Sequence, residues 1–150
     1  MKIVEAEHFS DDLYTAFQSL IPQLTSSCEI PTQEELKSIL EANATKLLIA
    51  VDDSIRPERI VGILTLIIYR IPTGHVARIE DVVVEEETRR QGIGKLLVEA
   101  ALRQAREAGV KAVDLTSNSA RVAANELYLN IGFKKRSTNL YRYTYPLKEC

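Results

Sequence analysis

The run Val82-Val83-Val84-Glu85-Glu86-Glu87-Thr88-Arg89-Arg90-Gln91-Gly92-Ile93-Gly94-Lys95 joins an apolar strand to a glycine-punctuated turn and then to a long amphipathic stretch. A helix start leaves backbone N–H groups unpaired and carries partial positive charge, which suits it to anions. Glycine at Gly92 and Gly94 lets a ligand approach that backbone closely. The chemistry on offer is phosphate binding. A P-loop would need Gly where Arg89 stands and Ser or Thr after Lys95, where the chain has Leu96. A dinucleotide fingerprint would need Gly at Leu97. What is left is Arg89-x-x-Gly92-x-Gly94, which is either a phosphate cradle or a strand–helix loop that uses its glycines only to turn.

A second constellation lies downstream. Asn125-Glu126-Leu127-Tyr128-Leu129-Asn130-Ile131-Gly132-Phe133 sets a phenol in a helical stretch ended by glycine. Tyr128 is a core aromatic on this pattern, with Ala124, Leu127 and Ile131 near it on the wheel, or else a proton donor. Together the two motifs, in this order, resemble those of the GNAT N-acetyltransferase superfamily. Its acyl-CoA motif is Gln/Arg-x-x-Gly-x-Gly/Ala, and its later signature is Asn-x-x-Phe/Tyr-Tyr-x-x-x-Gly-Phe. Counting back from Gly132-Phe133 sets Tyr128 on the family's tyrosine, with Asn125 three residues earlier. Ile79 to Val84 is similar to the family's fourth strand. The resemblance spans roughly Leu47 to Tyr145 and is densest from Val76 to Phe133.

The resemblance implies an α/β fold with a central mixed, mostly antiparallel sheet flanked by helices. It implies acetyl-CoA as co-substrate, no metal, and acetyl transfer to a primary amine on a small molecule or peptide. It assigns the diphosphate to backbone amides along Arg89, Arg90, Gln91, Gly92, Ile93, Gly94 and Lys95. The arginine and lysine side chains there add charge or are plain surface. Val82, Val83 and Val84 form the strand that pairs with the pantetheine arm, through the main chain of Val82 and Val84. A main-chain N–H near Val82 is the oxyanion donor, and Asn118 and Asn125 complete the coenzyme contacts. Tyr128 is the acid for the departing thiolate. A catalytically silent CoA-binding or regulatory module of the same fold is the alternative. A third idea makes Tyr141, Tyr143 and Tyr145 an interaction surface, although their alternation equally describes a half-buried strand.

Acetyl transfer needs a neutral amine, oxyanion support and a proton for the thiolate. A thiol ionises near pKa 8.5 and a phenol near 10, so full proton transfer from tyrosine is uphill by about 1.5 units, or roughly 2 kcal/mol. That is modest for a general acid. An alkylamine near pKa 10.4 must lose a proton before attack. Glu80 or Asp81, early in the strand, takes that proton directly or through water, and either carboxylate attracts a cationic acceptor. Otherwise Glu80 pairs with Arg78 or Lys111 on a sheet face. Glu85-Glu86-Glu87 reads as a solvated turn.

The elements that position these groups follow from periodicity and caps. Residues 2–6 form a short strand. Ser10 caps a helix bearing Leu13, Phe17 and Leu20, with Pro22 just past its end. Thr32-x-x-Glu35 is a capping box for a second helix. Lys46–Val51 and Arg59–Arg70 read as a hairpin, Val76–Val84 as a third long strand, and the apolar Val82–Val84 run as buried on both faces. A helix carrying Leu97, Ala101, Ala105 and Ala108 ends at Gly109. Lys111–Thr116 is a strand, a helix spans about Ala120 to Asn130, and Phe133–Arg136 with Tyr141–Tyr145 form a closing hairpin. The acceptor wall falls around Pro22 to Pro31 and Tyr69 to His75.

The 150 residues fit a single domain over 1–150 with a real core. A net charge of −2 and dispersed basic residues argue against a nucleic-acid or anionic-membrane partner. No apolar run reaches membrane-spanning length, and the first residues do not read as a signal peptide. Cys28 and Cys150 make no disulfide framework, and His8 and His75 are isolated. A cytoplasmic location is expected, and a homodimer is among the expected states, since similar proteins commonly pair.

Overall fold

The computed structural model describes residues 1–26 and 29–146. The expectations for Cys28 and Cys150, and the Ser27–Cys28 part of the acceptor wall, lie outside the described residues. The chain runs β1 (Lys2–Ala6), α1 (Asp11–Leu24), α2 (Gln33–Glu41), β2 (Thr45–Asp52), β3 (Arg59–Ile71) and β4 (Gly74–Val84). A single 3-10 turn (Glu86–Thr88) leads to α3 (Ile93–Glu107), β5 (Val113–Leu115) and α4 (Val122–Ile131). The strands form one five-stranded sheet in the order β1-β2-β3-β4-β5. All neighbours are antiparallel except β4 and β5, which are parallel. This is the mixed, mostly antiparallel sheet with flanking helices expected above.

Alternate strand residues feed two cores, as a two-residue period requires. On one face, Leu13, Phe17 and Leu20 of α1 and Leu36 of α2 pack on Leu47, Ile49, Ile63 and Val83. On the other, Ile93, Leu97, Val98, Ala101 and Ala105 of α3 pack on Leu48, Ala50, Leu64, Leu66 and Ile79. Each fully buried Leu or Ile contributes roughly 1.5–3 kcal/mol, so these two cores hold the sheet between its helices. Helix starts are secured as the sequence indicates. Ser10 Oγ accepts from the Leu13 N–H at 3.1 Å. Thr32 and Glu35 exchange both bonds of the capping box, at 3.2 and 2.8 Å.

Two expectations are corrected. First, α1 does not stop before Pro22 but carries it inside the helix and ends at Leu24. Proline there removes one N–H bond, to the carbonyl of Gln18, and Gln18 is exposed to water that can replace it. The Thr25 N–H still closes the last turn on the Ile21 carbonyl. Second, residues 133–146 contain no strand, so the closing hairpin of Phe133–Arg136 and Tyr141–Tyr145 is absent. The neighbouring edge belongs to β5, which is only three residues long, and the tyrosines make local contacts instead. Tyr143 packs edge-on against Tyr145 at 5.2 Å between centroids, and Asn139 Nδ2 donates to the Tyr141 hydroxyl at 3.3 Å.

Candidate functional site

The site begins with one extra residue in β4. Ile63 pairs with Val83 and Thr65 with Glu80, so Asp81 and Val82 together stand opposite the single Leu64. Such a bulge re-aims the strand. Asp81 takes the left-handed conformation that it requires, with φ at 51°. Before the bulge, Ala77 and Ile79 face α3, which puts Arg78 and Glu80 on the α1 side. After it, Val82 and Val84 face α3, and Val83 faces α1. The Val82–Val84 run is thus packed on both faces, as its composition indicates.

The bulge also coincides with the end of pairing to β5. The parallel ladder covers only Ala77↔Val113, Arg78↔Asp114 and Ile79↔Leu115. Beyond it, β4 has a free edge on the β5 side. The Glu85 N–H donates to the Val61 carbonyl at 2.8 Å, so the main chain of Glu85 points toward β3. By strand alternation Val82 and Val84 point the other way. Side chains reach their carbonyls from that free side. Arg121 Nη2 donates to the Val82 carbonyl at 3.4 Å, and Arg89 Nε donates to the Val84 carbonyl at 3.0 Å.

The free edge runs into an uncapped helix start. Arg90 and Gly92 both adopt positive φ, 65° and 77°, to bring the chain round into α3. A β-carbon on Gly92 would meet nothing within 4 Å, so the demand for glycine here is conformational rather than steric. Unlike α1 and α2, α3 has no side-chain cap, and its first amides, from Ile93 to Lys95, are left for another acceptor. Ile93 is buried and anchors the turn. Gly94 lies under α4, since a β-carbon there would sit 3.4 Å from Leu127 Cδ2 and 3.9 Å from Val84 Cγ2. Gln91 is exposed. Lys95 lies along the helix surface with Glu99, 3.9 Å away, which is the plain-surface role.

Tyr128 closes the site from α4. It is the one buried side chain of that helix, at 6% exposure, in the same core as Ile93 and Leu97, with Val82 and Val84 packed against it. Its ring meets Phe133 edge-on at 5.9 Å. Among the described residues its hydroxyl makes no hydrogen bond. Burial pushes the phenol above its ordinary value, while the positive charge of Arg121 pulls it partly back. Tyr128 is therefore the core aromatic of α4, and it lies beside the free edge of β4. Arg121 at the start of α4 was not singled out by the sequence, because a lone arginine before a helix has no distinguishing pattern. Asn118 and Asn125 face each other rather than the free edge. Asn125 Nδ2 donates to the Asn118 carbonyl at 3.0 Å, and Asn118 Oδ1 accepts from the Ala120 N–H at 2.8 Å.

Of the two carboxylates expected on the amine side, Glu80 accepts from Arg78 Nε at 3.2 Å on the α1 face, the pairing weighed as its alternative. Asp81 makes no hydrogen bond or ion pair among the described residues. It is open to solvent, yet the protein around it penalises its charge, and Glu80 adds repulsion. Both raise its pKa above 3.8. The solvated-turn reading of Glu85–Glu87 holds for Glu86 and Glu87 but is wrong for Glu85. That carboxylate is 7% exposed and accepts from Ser19 Oγ at 3.0 Å and Gln23 Nε2 at 2.8 Å. Charge within a glutamate run hides this; only the two-residue alternation from Val83, carried one step past the strand, places Glu85 inward.

A free β-strand edge leading into an uncapped helix start, with a buried phenol opposite, is an arrangement whose main chain can take an extended, phosphate-ended ligand. The model of the acetyltransferase (GNAT) family matches residues 11–133, and the chain belongs to that family. Human N-acetyltransferase 8 is 34% identical over 86 residues, covering 56% of this chain and 38% of that protein. Human N-acetyltransferase 8B is 33% identical over the same shares. The matched segment is thus well under half the length of those relatives. Among solved structures, a putative acetyltransferase from Agrobacterium tumefaciens superposes with TM-score 0.82 at 22% identity, covering 96% of this chain and all (100%) of that one. An aminoglycoside acetyltransferase from a soil metagenomic sample, in complex with sisomicin, superposes with TM-score 0.75 at 24% identity over 98% and 96%. At those identities the two structures speak for the fold. No helix among the described residues is long and apolar enough to cross a membrane, and no cluster there could hold a metal ion.

Proposed function

We propose that this chain transfers an acetyl group from acetyl-CoA to a primary amine by direct attack. The supporting observation is the continuous track from the free main chain of Val82 and Val84 to the uncapped amides at Ile93–Lys95, with Tyr128 buried beside it. The pantetheine arm adds to the edge as a short strand and displaces Arg121 and Arg89 from the two carbonyls. The diphosphate then sits on the helix start, where N–H donors and dipole act together. The freed arginines are left beside the coenzyme, where they add positive charge.

The amine nitrogen attacks the thioester carbonyl, and the C–S bond breaks as the tetrahedral intermediate collapses. A main-chain N–H near Val82 supports the oxyanion. The thiolate takes its proton from Tyr128, and the phenolate is reprotonated by solvent. Burial makes the phenol a weaker acid than in water, which widens the roughly 2 kcal/mol gap to the thiol, and the charge of Arg121 works against that. Asp81 is the better amine-side base, because its raised pKa makes it more basic and no partner holds it. Glu80, tied to Arg78, attracts the cationic acceptor. The acceptor class is a primary amine on a small molecule or peptide, as in the amino-sugar and aminoglycoside enzymes of this fold.

The pairing of Glu80 with Arg78 is the one feature that favours a silent CoA-binding module. An assay of CoA release across a panel of polyamines, amino sugars and peptide amines separates the two. Turnover with any amine supports transfer. Coenzyme binding without consumption across the panel supports the silent module, and no binding at all removes both.

A further inference from the structure

Glu85 lies where the coenzyme strand becomes the coenzyme loop, and no step above uses it. Every polar group it has is engaged. Its N–H bonds Val61 of β3, and its carbonyl accepts from the Thr88 N–H at 2.9 Å and Thr88 Oγ1 at 3.0 Å. Its carboxylate takes Ser19 Oγ and Gln23 Nε2 from α1, and Arg59 Nη2 of β3 stands 3.3 Å away. Gln23 extends the contact. Its Nε2 also donates to the Ser19 carbonyl at 3.0 Å, and its Oε1 accepts from the Glu86 N–H at 2.8 Å. That amide has only one workable orientation, because turning it over would set N–H against N–H at Glu86. A buried, fully satisfied carboxylate of this kind fixes geometry.

We infer that Glu85 is a positioning residue for the coenzyme: by locking the start of the 86–92 loop to α1 and β3, it sets where the α3 amides stand for the diphosphate. The far end of that loop is held by buried Ile93, so Glu85 supplies the other fixed point. The inference rests on the coenzyme reading above. It also ties that loop to α1, whose end leads into the expected acceptor wall.

The test titrates the 150-residue chain with CoA and with pantetheine, which lacks the diphosphate. Glu85→Ala lets the loop shift, and a charge-assisted hydrogen bond from the α3 amides to the diphosphate that is lost in this way costs on the order of 10- to 100-fold in affinity. We expect CoA affinity to fall roughly 10- to 100-fold and pantetheine affinity to hold, so that the ratio of the two collapses. Glu85→Gln keeps an acceptor for Gln23 but loses the anion beside Arg59, and should fall between. Gln23→Met removes the bridge to the Glu86 N–H without touching charge and should reproduce part of the loss, which keeps the test decisive if Glu85→Ala fails to fold. Thermal unfolding midpoints are recorded for each variant. Equal loss for both ligands, or no loss in Glu85→Gln and Gln23→Met while the wild type binds CoA, overturns the positioning role. A wild type that binds no CoA overturns the coenzyme reading itself.

Discussion

The two halves of the site are built differently. The β4–α3 half is stapled from every side: β4 pairs along its length with β3, Glu85 grips α1, and α3 buries Ile93, Leu97, Val98 and Ala101. The α4 half rests on little. Tyr128 is its only buried side chain, Val122 and Leu129 are exposed, and the described residues after Phe133 add no strand. Few buried apolar contacts mean low local stability. The lesson is a division of labour. On the coenzyme reading proposed above, the rigid half is the one that fixes where the coenzyme lies, and the half that carries the phenol is the one left to complete its packing around that ligand.

Four experiments bear on this contrast, in order of expected effect. Tyr128→Phe should lower kcat by on the order of 10²- to 10⁴-fold while leaving CoA affinity and unfolding midpoint close to wild type. Steady-state kinetics and calorimetry on one preparation read all three. Because burial raises the phenol pKa above its ordinary value, the alkaline fall in wild-type kcat should lie above pH about 10, and the variant should lose that limb. Unchanged turnover would take the acid role from Tyr128 and erase the contrast.

Gly92→Ala strikes the rigid half instead. The residue keeps φ at 77°, which costs an L side chain roughly 1–2 kcal/mol. Denaturant unfolding should show that loss, and CoA should give a smaller thermal shift than in the wild type. A variant as stable as the wild type, with the full shift, would mean the turn has other routes into α3.

Hydrogen exchange sharpens the comparison without mutation. Amides of α4 should exchange faster than those of α3 in the free protein, and CoA should slow α4 more. Equal protection in the two helices would contradict the division.

The smallest effect belongs to Asp81→Asn. The folded protein raises the pKa of Asp81 above 3.8, so it holds that proton more tightly than the unfolded chain. The associated stability is present below the unfolded pKa and is lost as pH rises through the folded value. At pH 7 the wild type therefore carries an unfavourable charge that Asn lacks, and Asn tolerates the left-handed backbone. The variant should be more stable at neutral pH by up to about 0.5 kcal/mol, with the gap closing below pH about 3.8. Urea midpoints at the two pH values check the sign. A variant less stable at pH 7 would give Asp81 a supporting contact.

Much of this was legible in the residues. Caps at Ser10 and Thr32 and the ending at Gly109 follow from local hydrogen-bond chemistry, which depends on a few neighbours. The turn at Gly92 and the buried aromatic at Tyr128 follow from glycine's freedom at positive φ and from helical spacing. The bulge was not legible, because a left-handed aspartate in a strand leaves no mark until the partner register is known. Nor was the inward turn of Glu85, whose partners Ser19 and Gln23 lie more than sixty positions away. Pro22 and the tyrosine-rich end misled for one reason: local propensity was read where tertiary surroundings decide.

The unpaired count at Asp81 has a consequence for how this chain can vary. A strand obeys parity, and one odd residue exchanges its inward and outward sets from there onward. Were Asp81 drawn into the regular ladder instead of standing out as the bulge, Glu85 would move to the opposite layer and the carbonyls of Val82 and Val84 would point at β3, so the free edge would vanish with every one of its side chains still present. A substitution that keeps the bulge keeps the fold of this edge, whereas one that straightens the strand with all its residues in register does not.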